Sequence, residues 1–336
     1  MLKYIGKRIL MMIPVMLGVV LIIFFMLSLS PGDPAVQILG PEATPEQYAE
    51  LTEQLGLNDP FLVRYFNYVV GICKGDLGTS YSTKQPVINE IIARFPTTIL
   101  LSALSCVVGA VIGIIFGIIS AVKQYSFIDN LTRVFALIGM SVPSFWLGLM
   151  FIILFSVKLH WLPSSGFYGP KYWILPSVTI GLVQASNVAR QTRSAMLDVV
   201  RQDYIRTARA KGQTEMKIIF EHELPNALIP IVTVLGMQFG RGLGGSIISE
   251  QVFAIPGIGM LMTNAIGNLD YPVVQGGVLI IALTFSIVNL VIDILYAFID
   301  PRIKSLYAGK KKKVEKAADV KNTEAKAEEE GKNDGK

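Results

Sequence analysis

Six runs without a single charged side chain interrupt this chain, at 9–32, 95–122, 134–157, 172–189, 224–240 and 271–292. Each reaches or nears the ~20 residues that an α-helix needs to cross a ~30 Å hydrocarbon core at ~1.5 Å per residue. In hydrocarbon every backbone polar group must be satisfied internally, so runs of this length commit the chain to membrane helices. Charged residues make up 16% of the sequence against roughly 25% in soluble domains. The composition therefore agrees with the runs. The fourth run is the most polar, carrying Ser177, Thr179, Gln184, Ser186 and Asn187. A span of that kind suits a pore or a partner helix better than lipid.

Lys and Arg set the orientation. The segment 190–217 has seven basic residues and the stretch after Ile299 has eleven, and the N-terminus adds Lys3, Lys7 and Arg8. The connection 31–94 has four basic residues against eight acidic ones, and 251–270 has no basic residue. Six spans with both termini and the 204 region in the cytoplasm are expected. The net charge of +5 is this asymmetry plus a basic tail and gives no reason to propose nucleic acid. Ser28-Leu29-Ser30 resembles a signal-peptidase site, but the apolar run before it is too long for a signal peptide, and Pro31 follows the cut position. Span one is read as retained.

The expected organisation is a cytoplasmic N-terminus (1–8), a first span (9–30), an extracytoplasmic segment (31–94), a five-helix core (95–302) and a disordered cytoplasmic tail (303–336). Within the core, spans are expected at 97–122, 134–157, 172–190, 225–249 and 275–299, with a cytoplasmic loop at 191–224. In the external segment, 45–55 reads as an amphipathic helix started by Pro45 and ended at Gly56. A second helix, 61–70, carries an aromatic face. Together they form a small packed cap, a docking surface for an external binding protein, or both. Phe95-Pro96-Thr97 reads as the start of span two, and Gly109, Gly113 and Gly117 in it form a stripe suited to close helix packing. Pro143 predicts a kink in span three.

The polar segment between spans four and five is too patterned for a linker. It reads as two short helices joined at Gly212. Ile205, Ala208 and Ala210 give the first a weak apolar side, and Met216, Ile219 and Phe220 give the second a stripe at helical spacing. Gly212 suits a left-handed helix end, Thr214 a following N-cap, and Pro225 the first turn of a span. Such a helix pair, presented to the cytosol, is a handle for a soluble partner.

Here a family resemblance enters. Counting from Gly212, nine residues lead to His222-Glu-Leu224-Pro225, which resembles the cytoplasmic "EAA" loop of ABC importer permeases. Arg206-Thr207-Ala208 stands where that loop has Glu-Ala-Ala, and His222 where it has Ile. The string Tyr204-Ile-Arg-Thr-Ala-Arg-Ala-Lys-Gly212 is similar to the dipeptide, oligopeptide and nickel branch. So are Gln191-Thr-Arg-Ser-Ala-Met196, Glu250-x-x-Phe253-x-x-Pro256-Gly257-x-Gly259, Asp270-Tyr-Pro-Val-Val-Gln275 and Leu295-Tyr296 with Asp300-Pro301-Arg302. The resemblance covers about 1–304. It implies an all-α integral membrane protein of type I ABC importer permease architecture, one N-terminal span plus a five-helix core, in a bacterial or archaeal cell membrane. It implies a second homologous permease, two cytosolic ATPase subunits that bind the ATP, and an extracytoplasmic solute-binding protein. It assigns ATPase coupling to Tyr204, Arg206, Ala208, Arg209, Ala210, Lys211, Gly212, His222, Leu224 and Pro225, and an external-loop motif to Glu250, Phe253, Pro256, Gly257 and Gly259. The solute expected is a di- or oligopeptide, with nickel chelates, opines or sugars as alternatives.

Catalytic and cofactor signatures are absent from the sequence. No phosphate-binding Gly-x-x-x-x-Gly-Lys-Ser/Thr loop, nucleophile elbow or metalloprotease motif occurs, so the chain reads as no enzyme and as holding no cofactor. Cys73 and Cys106 lie at different depths, as do His160 and His222, which argues against a disulfide or a metal site. An intramembrane enzyme and a stand-alone channel or carrier are the rival classes, and the cytosolic helix pair argues against both. Two charges fall within the spans, where an ionisable residue is a functional candidate by default. Asp293 reads as structural. Arg241 reads as a translocation-path candidate, with Gly240, Gly242, Gly244 and Gly245 opening the backbone so that water reaches it.

Overall fold

The computed structural model describes residues 2–40 and 42–299. The tail expected at 303–336 lies outside the described residues. Helix α1 (Leu2–Ser28) precedes three short helices, α2 (Pro34–Leu39), α3 (Pro45–Gln54) and α4 (Phe61–Cys73). Long α5 (Val87–Val122) leads to α6 (Phe127–Ser141) and α7 (Ser144–Phe151), which runs on as a π-helix over Ile152–Lys158. Then come α8 (Pro170–Val200), α9 (Asp203–Ala210), α10 (Glu215–Lys217) and α11 (Leu224–Gly245), the last two joined by a π-helical stretch, Ile218–Glu223. Helices α12 (Ile247–Val252), α13 (Ile258–Gly267) and α14 (Tyr271–Ile299) complete the described chain.

Four of these are long and apolar enough to cross a membrane: Ile5–Ser28, Val87–Val122, Glu215–Gly244 and Tyr271–Leu295. Counting α6 with α7 as one broken span makes five. The sixth expected span, α8, is long enough with 31 residues but too polar to qualify on composition. Its polar side chains are explained by packing. Ser177, Thr179, Gln184 and Ser186 are all buried, and α8 lies along α5 with almost no gap. A Cβ on Gly109 would come within 2.9 Å of Gln184 Cβ, one on Gly113 within 2.5 Å of Val188 Cβ, and one on Gly117 would collide with Thr192. The expected glycine stripe is thus the α5 side of a helix–helix seam.

Several boundaries differ from the sequence reading. Helix α5 begins at Val87 and keeps Pro96 inside it. Val87 and Ile91 are fully buried in a cluster with Phe24, Ile258, Met262 and Val273, so apolar packing continues the helix outward past the proline. Helix α8 continues through the expected start of the loop to Val200, because Ala195 and Met196 pack on Ala121, Ile219, Ala227 and Ile231. Pro225 does not begin a new helix. The chain is helical from Glu215 onward, and the wider π turns before Pro225 bring the Leu224 N–H to Ile219 O, spreading the backbone where the proline ring would crowd it. At Pro143 the predicted kink is a 100° bend between α6 and α7.

The 31–94 segment is capped as its sequence predicts. Thr44 and Gln47 form a reciprocal capping box on α3, with Pro45 in the first turn and Gly56 at φ +62° beyond its end. Helix α4 turns Phe61, Tyr65 and Tyr68 onto Phe24 of α1, with ring centroids 5.2–6.4 Å apart. Span one is thereby held by aromatic packing.

Candidate coupling surface and membrane path

Helix α9 and the Glu215–Glu223 stretch form the helix pair expected around Gly212. Gly212 has φ +76°, the left-handed region, and its N–H donates to Arg209 O at 2.9 Å. Thr214 holds the N-cap position of the following helix without a side-chain capping bond. Ile205, Ala208 and Ile218 are buried together and fix the angle between the two helices. Arg209 ties the pair across the turn. Its Nε and Nη2 donate to Glu215 at 2.9 and 3.1 Å, and Nη2 also reaches Glu223 at 3.5 Å. That double partnership raises the Arg209 pKa, first through the Glu215 hydrogen bond. His222 Nε2 meets Gln213 Oε1 at 2.8 Å, closing the other side of the turn.

Of the expected coupling residues, Ala208 is buried in the seam, Leu224 and His222 are half-buried, and Tyr204, Arg206, Arg209, Ala210, Lys211, Gly212 and Pro225 are exposed. Three large apolar side chains stand exposed among the charged ones of this helix pair. Tyr204 is 45% exposed, Met216 64% and Phe220 55%. Arg206 stands where the loop of the family has an acidic residue, and the carboxylates that Arg209 binds come from Glu215 and Glu223.

The Glu250–Gly259 motif folds into a buried knot. The Glu250 carboxylate accepts from Thr98 Oγ1 at 2.8 Å, Ser246 Oγ at 3.0 Å and the Met260 N–H at 3.0 Å. Both glycines serve close approach: a Cβ at Gly257 would collide with that carboxylate, and one at Gly259 would meet Ile247 Cα at 2.6 Å. Phe253 is buried against Leu101 and Leu175, and Pro256 is exposed at the corner. A second knot went unread in the sequence. Asp270 accepts from Ser80 Oγ at 2.6 Å and from the Tyr81 and Ser82 N–H groups at 3.0 and 3.1 Å, pinning the 80–82 loop to the start of α14. Asp129 was missed too. It is buried and receives Arg193 Nε and Nη2 at 2.9 and 3.0 Å, joining α6 to α8.

Arg241 is exposed on α11, with no ion pair or hydrogen bond among the described residues. The helix around it is unbroken. The expected backbone opening is therefore absent, because the glycines are packing contacts. A Cβ at Gly240 would meet Phe285 at 2.8 Å, one at Gly242 Ser102 at 3.3 Å, and one at Gly244 Ile281 at 3.7 Å. Gly240 and Gly244 seat α11 on α14, Gly242 seats its opposite side on α5 and α8, and Arg241 emerges between the two contacts. Asp293 lies on α14.

Comparison with known proteins decides what these elements belong to. The family model described as "Binding-protein-dependent transport system inner membrane component" matches residues 113–305, and its N-terminal companion matches 1–102. The chain belongs to this family of ABC importer permeases. The permease is 42% identical over 332 residues to the dipeptide transport system permease protein DppB of Alkalihalophilus pseudofirmus, covering 90% of this chain and 100% of that one. It is 44% identical over 304 residues to the glutathione transport system permease protein GsiC of Salmonella typhimurium, covering 90% and 99%. In fold it matches the inward-facing MetNI methionine ABC transporter at TM-score 0.55 and 21% identity, over 63% of this chain and 97% of that chain. The permease is thus a multi-pass membrane protein with the type I importer fold. It is a transport subunit, not a catalytic one, and permeases of this family work with ATPase subunits and a binding protein.

Proposed function

We propose that this permease pairs with a second, homologous permease to import di- or oligopeptides, and that 203–225 transmits ATPase closure to the spans. The observation that carries the coupling role is the exposed Tyr204–Met216–Phe220 face on a helix pair whose back is fixed by Ile205, Ala208 and Ile218. Exposed aromatic and Met side chains on a rigid support are the anchors of a protein interface. Because the Glu215–Glu223 stretch is continuous with α11, a push on the pair moves a transmembrane helix directly. The peptide assignment is supported by relatives named for dipeptide and glutathione transport. The basic balance of 190–217 supports placing this face in the cytoplasm with both termini. Arg241, exposed on the outer half of α11, is the residue we place in the translocation path.

The test is reconstitution of the permease with its genomic partners in liposomes, with the matching binding protein loaded with a dipeptide. ATP-dependent uptake and peptide-stimulated ATPase activity are expected. Stimulation by a nickel chelate or a sugar, and not by peptides, overturns the substrate assignment. Assembly without Tyr204, Met216 and Phe220 protection in a cysteine-footprinting experiment overturns the coupling assignment.

A further inference from the structure

Beyond transport, we infer that the cleft between the charged ends of α6 and α8 binds the headgroup of an anionic phospholipid. A cavity of about 460 Å³ lies there, and Arg133, Arg190, Arg193 and Arg201 are among the residues that line it. Among the described residues Asp198 is the one carboxylate that lines it, and the buried Asp129 binds two of the arginines. Four guanidiniums against two carboxylates leave an excess of two positive charges.

The arrangement is built rather than incidental. Asp129 is fully occupied by Arg193, by Arg133 at 3.2 Å, by Ser120 Oγ at 2.6 Å and by the Tyr125 N–H at 2.9 Å. It therefore orients two guanidiniums without using all their donors, since each arginine carries five N–H groups. Arg190 and Arg201 are exposed and have no carboxylate partner among the described residues. They carry the free charge. Planar guanidiniums recognise phosphate oxygens through paired hydrogen bonds.

The remaining wall identifies the phosphate as a lipid's. Leu137 and Met140 of α6 line the same cavity and are themselves exposed. Arg190 directly follows a charge-free run, so the cavity stands at the boundary between headgroups and hydrocarbon. A phosphodiester at the arginines places its acyl chains along Leu137 and Met140. A soluble phosphate has no use for that apolar wall. Basic pockets between transmembrane helices are a known class of lipid-headgroup site. The orientation proposed above decides only which leaflet supplies the lipid.

The test is native mass spectrometry of the assembled importer, purified in detergent and titrated with dioleoylphosphatidylglycerol or dioleoylphosphatidylcholine. The parent should retain phosphatidylglycerol in preference. The double variant Arg190→Gln, Arg201→Gln should bind it about tenfold more weakly or worse, with phosphatidylcholine retention and subunit composition unchanged. The double variant to Lys should recover part of the binding. Equal phosphatidylglycerol retention by parent and Gln variant overturns the site. Displacement of the lipid by excess inorganic phosphate that itself stays bound makes it a free-anion site and overturns the lipid assignment. Loss of a partner subunit in the Gln variant makes it a protein contact and does the same. None of these readouts requires transport, so the lipid site and the importer reading stand or fall separately.

Discussion

Thr98 and Glu250 meet although 152 positions apart in sequence, the Thr98 hydroxyl donating to Oε1 at 2.8 Å while accepting from the Ile258 N–H at 2.9 Å. One threonine thus joins α5, α12 and the first turn of α13. The glutamate takes three donors and is fully buried. An unsatisfied buried donor costs about 1–3 kcal/mol. Glu250→Ala should therefore destabilise the permease by about 2–5 kcal/mol, and Gly257→Ala should do comparable damage by driving a methyl group into the carboxylate. Glu250→Gln keeps one acceptor and should be milder. Thermal unfolding in detergent, followed by near-ultraviolet signals and by limited proteolysis of the 246–270 region, measures this order. Parent-like stability of Glu250→Ala would refute the knot.

Gly212 offers a cleaner test of coupling. No atom lies within 4 Å of a Cβ built there, so substitution acts only through the left-handed backbone. That conformation costs an L-residue roughly 1–2 kcal/mol, and a β-branched one more. Gly212→Val should misdirect the Glu215–Glu223 helix more than Gly212→Ala. Co-purification of the ATPases and peptide-stimulated ATPase rate should both fall, with the alanine variant between parent and valine. Parent values for the valine variant would remove 203–225 from the coupling path.

Most of this architecture is written locally. Charge-free runs predict α1, α5, α11 and α14, while Pro45 and Gly56 bracket α3 because capping chemistry acts over a few residues. What the sequence hides is long-range. Nothing near Asp270 announces Ser80 as its partner 190 positions earlier, and nothing near Asp129 announces Arg193. Proline misleads in both directions. Pro96 and Pro225 look like helix starts yet sit in continuous helix, because buried neighbours and π turns absorb their missing N–H, whereas Pro143 marks a 100° bend. Arg241 stands out in the sequence by its charge alone, but the glycines around it belong to packing.

Orientation is testable at four exposed positions. Thr44, Ser164, Thr214 and Gly267 all face outward from the fold, so reactivity there reports the side of the membrane and not burial. In a background lacking Cys73 and Cys106, single cysteines at 44, 164 and 267 should react with an impermeant maleimide in intact cells. Cysteine at 214 should react only after permeabilisation. Labelling of position 214 in sealed cells would reverse the Lys/Arg assignment.

Arg241 lies sixteen residues beyond Pro225 on an unbroken helix, roughly 24 Å along it at 1.5 Å per residue. A guanidinium facing lipid near a helix centre costs about 2.5–3.5 kcal/mol unless water or a partner meets it. Arg241 is exposed between the packed Gly240 and Gly242, and the proposed second permease and path would lie on that side of α11. In the proposed path the charge would attract a peptide's C-terminal carboxylate. Arg241→Leu should lower uptake of a free-acid dipeptide about tenfold, in line with loss of a charge-assisted hydrogen bond. Uptake of the same peptide amidated at its C-terminus should change far less, and membrane abundance should not fall. The competing arrangement is a side chain that snorkels to the outer headgroups. In that case the leucine variant leaves both peptides at parent rates, or lowers both together with the amount of protein inserted.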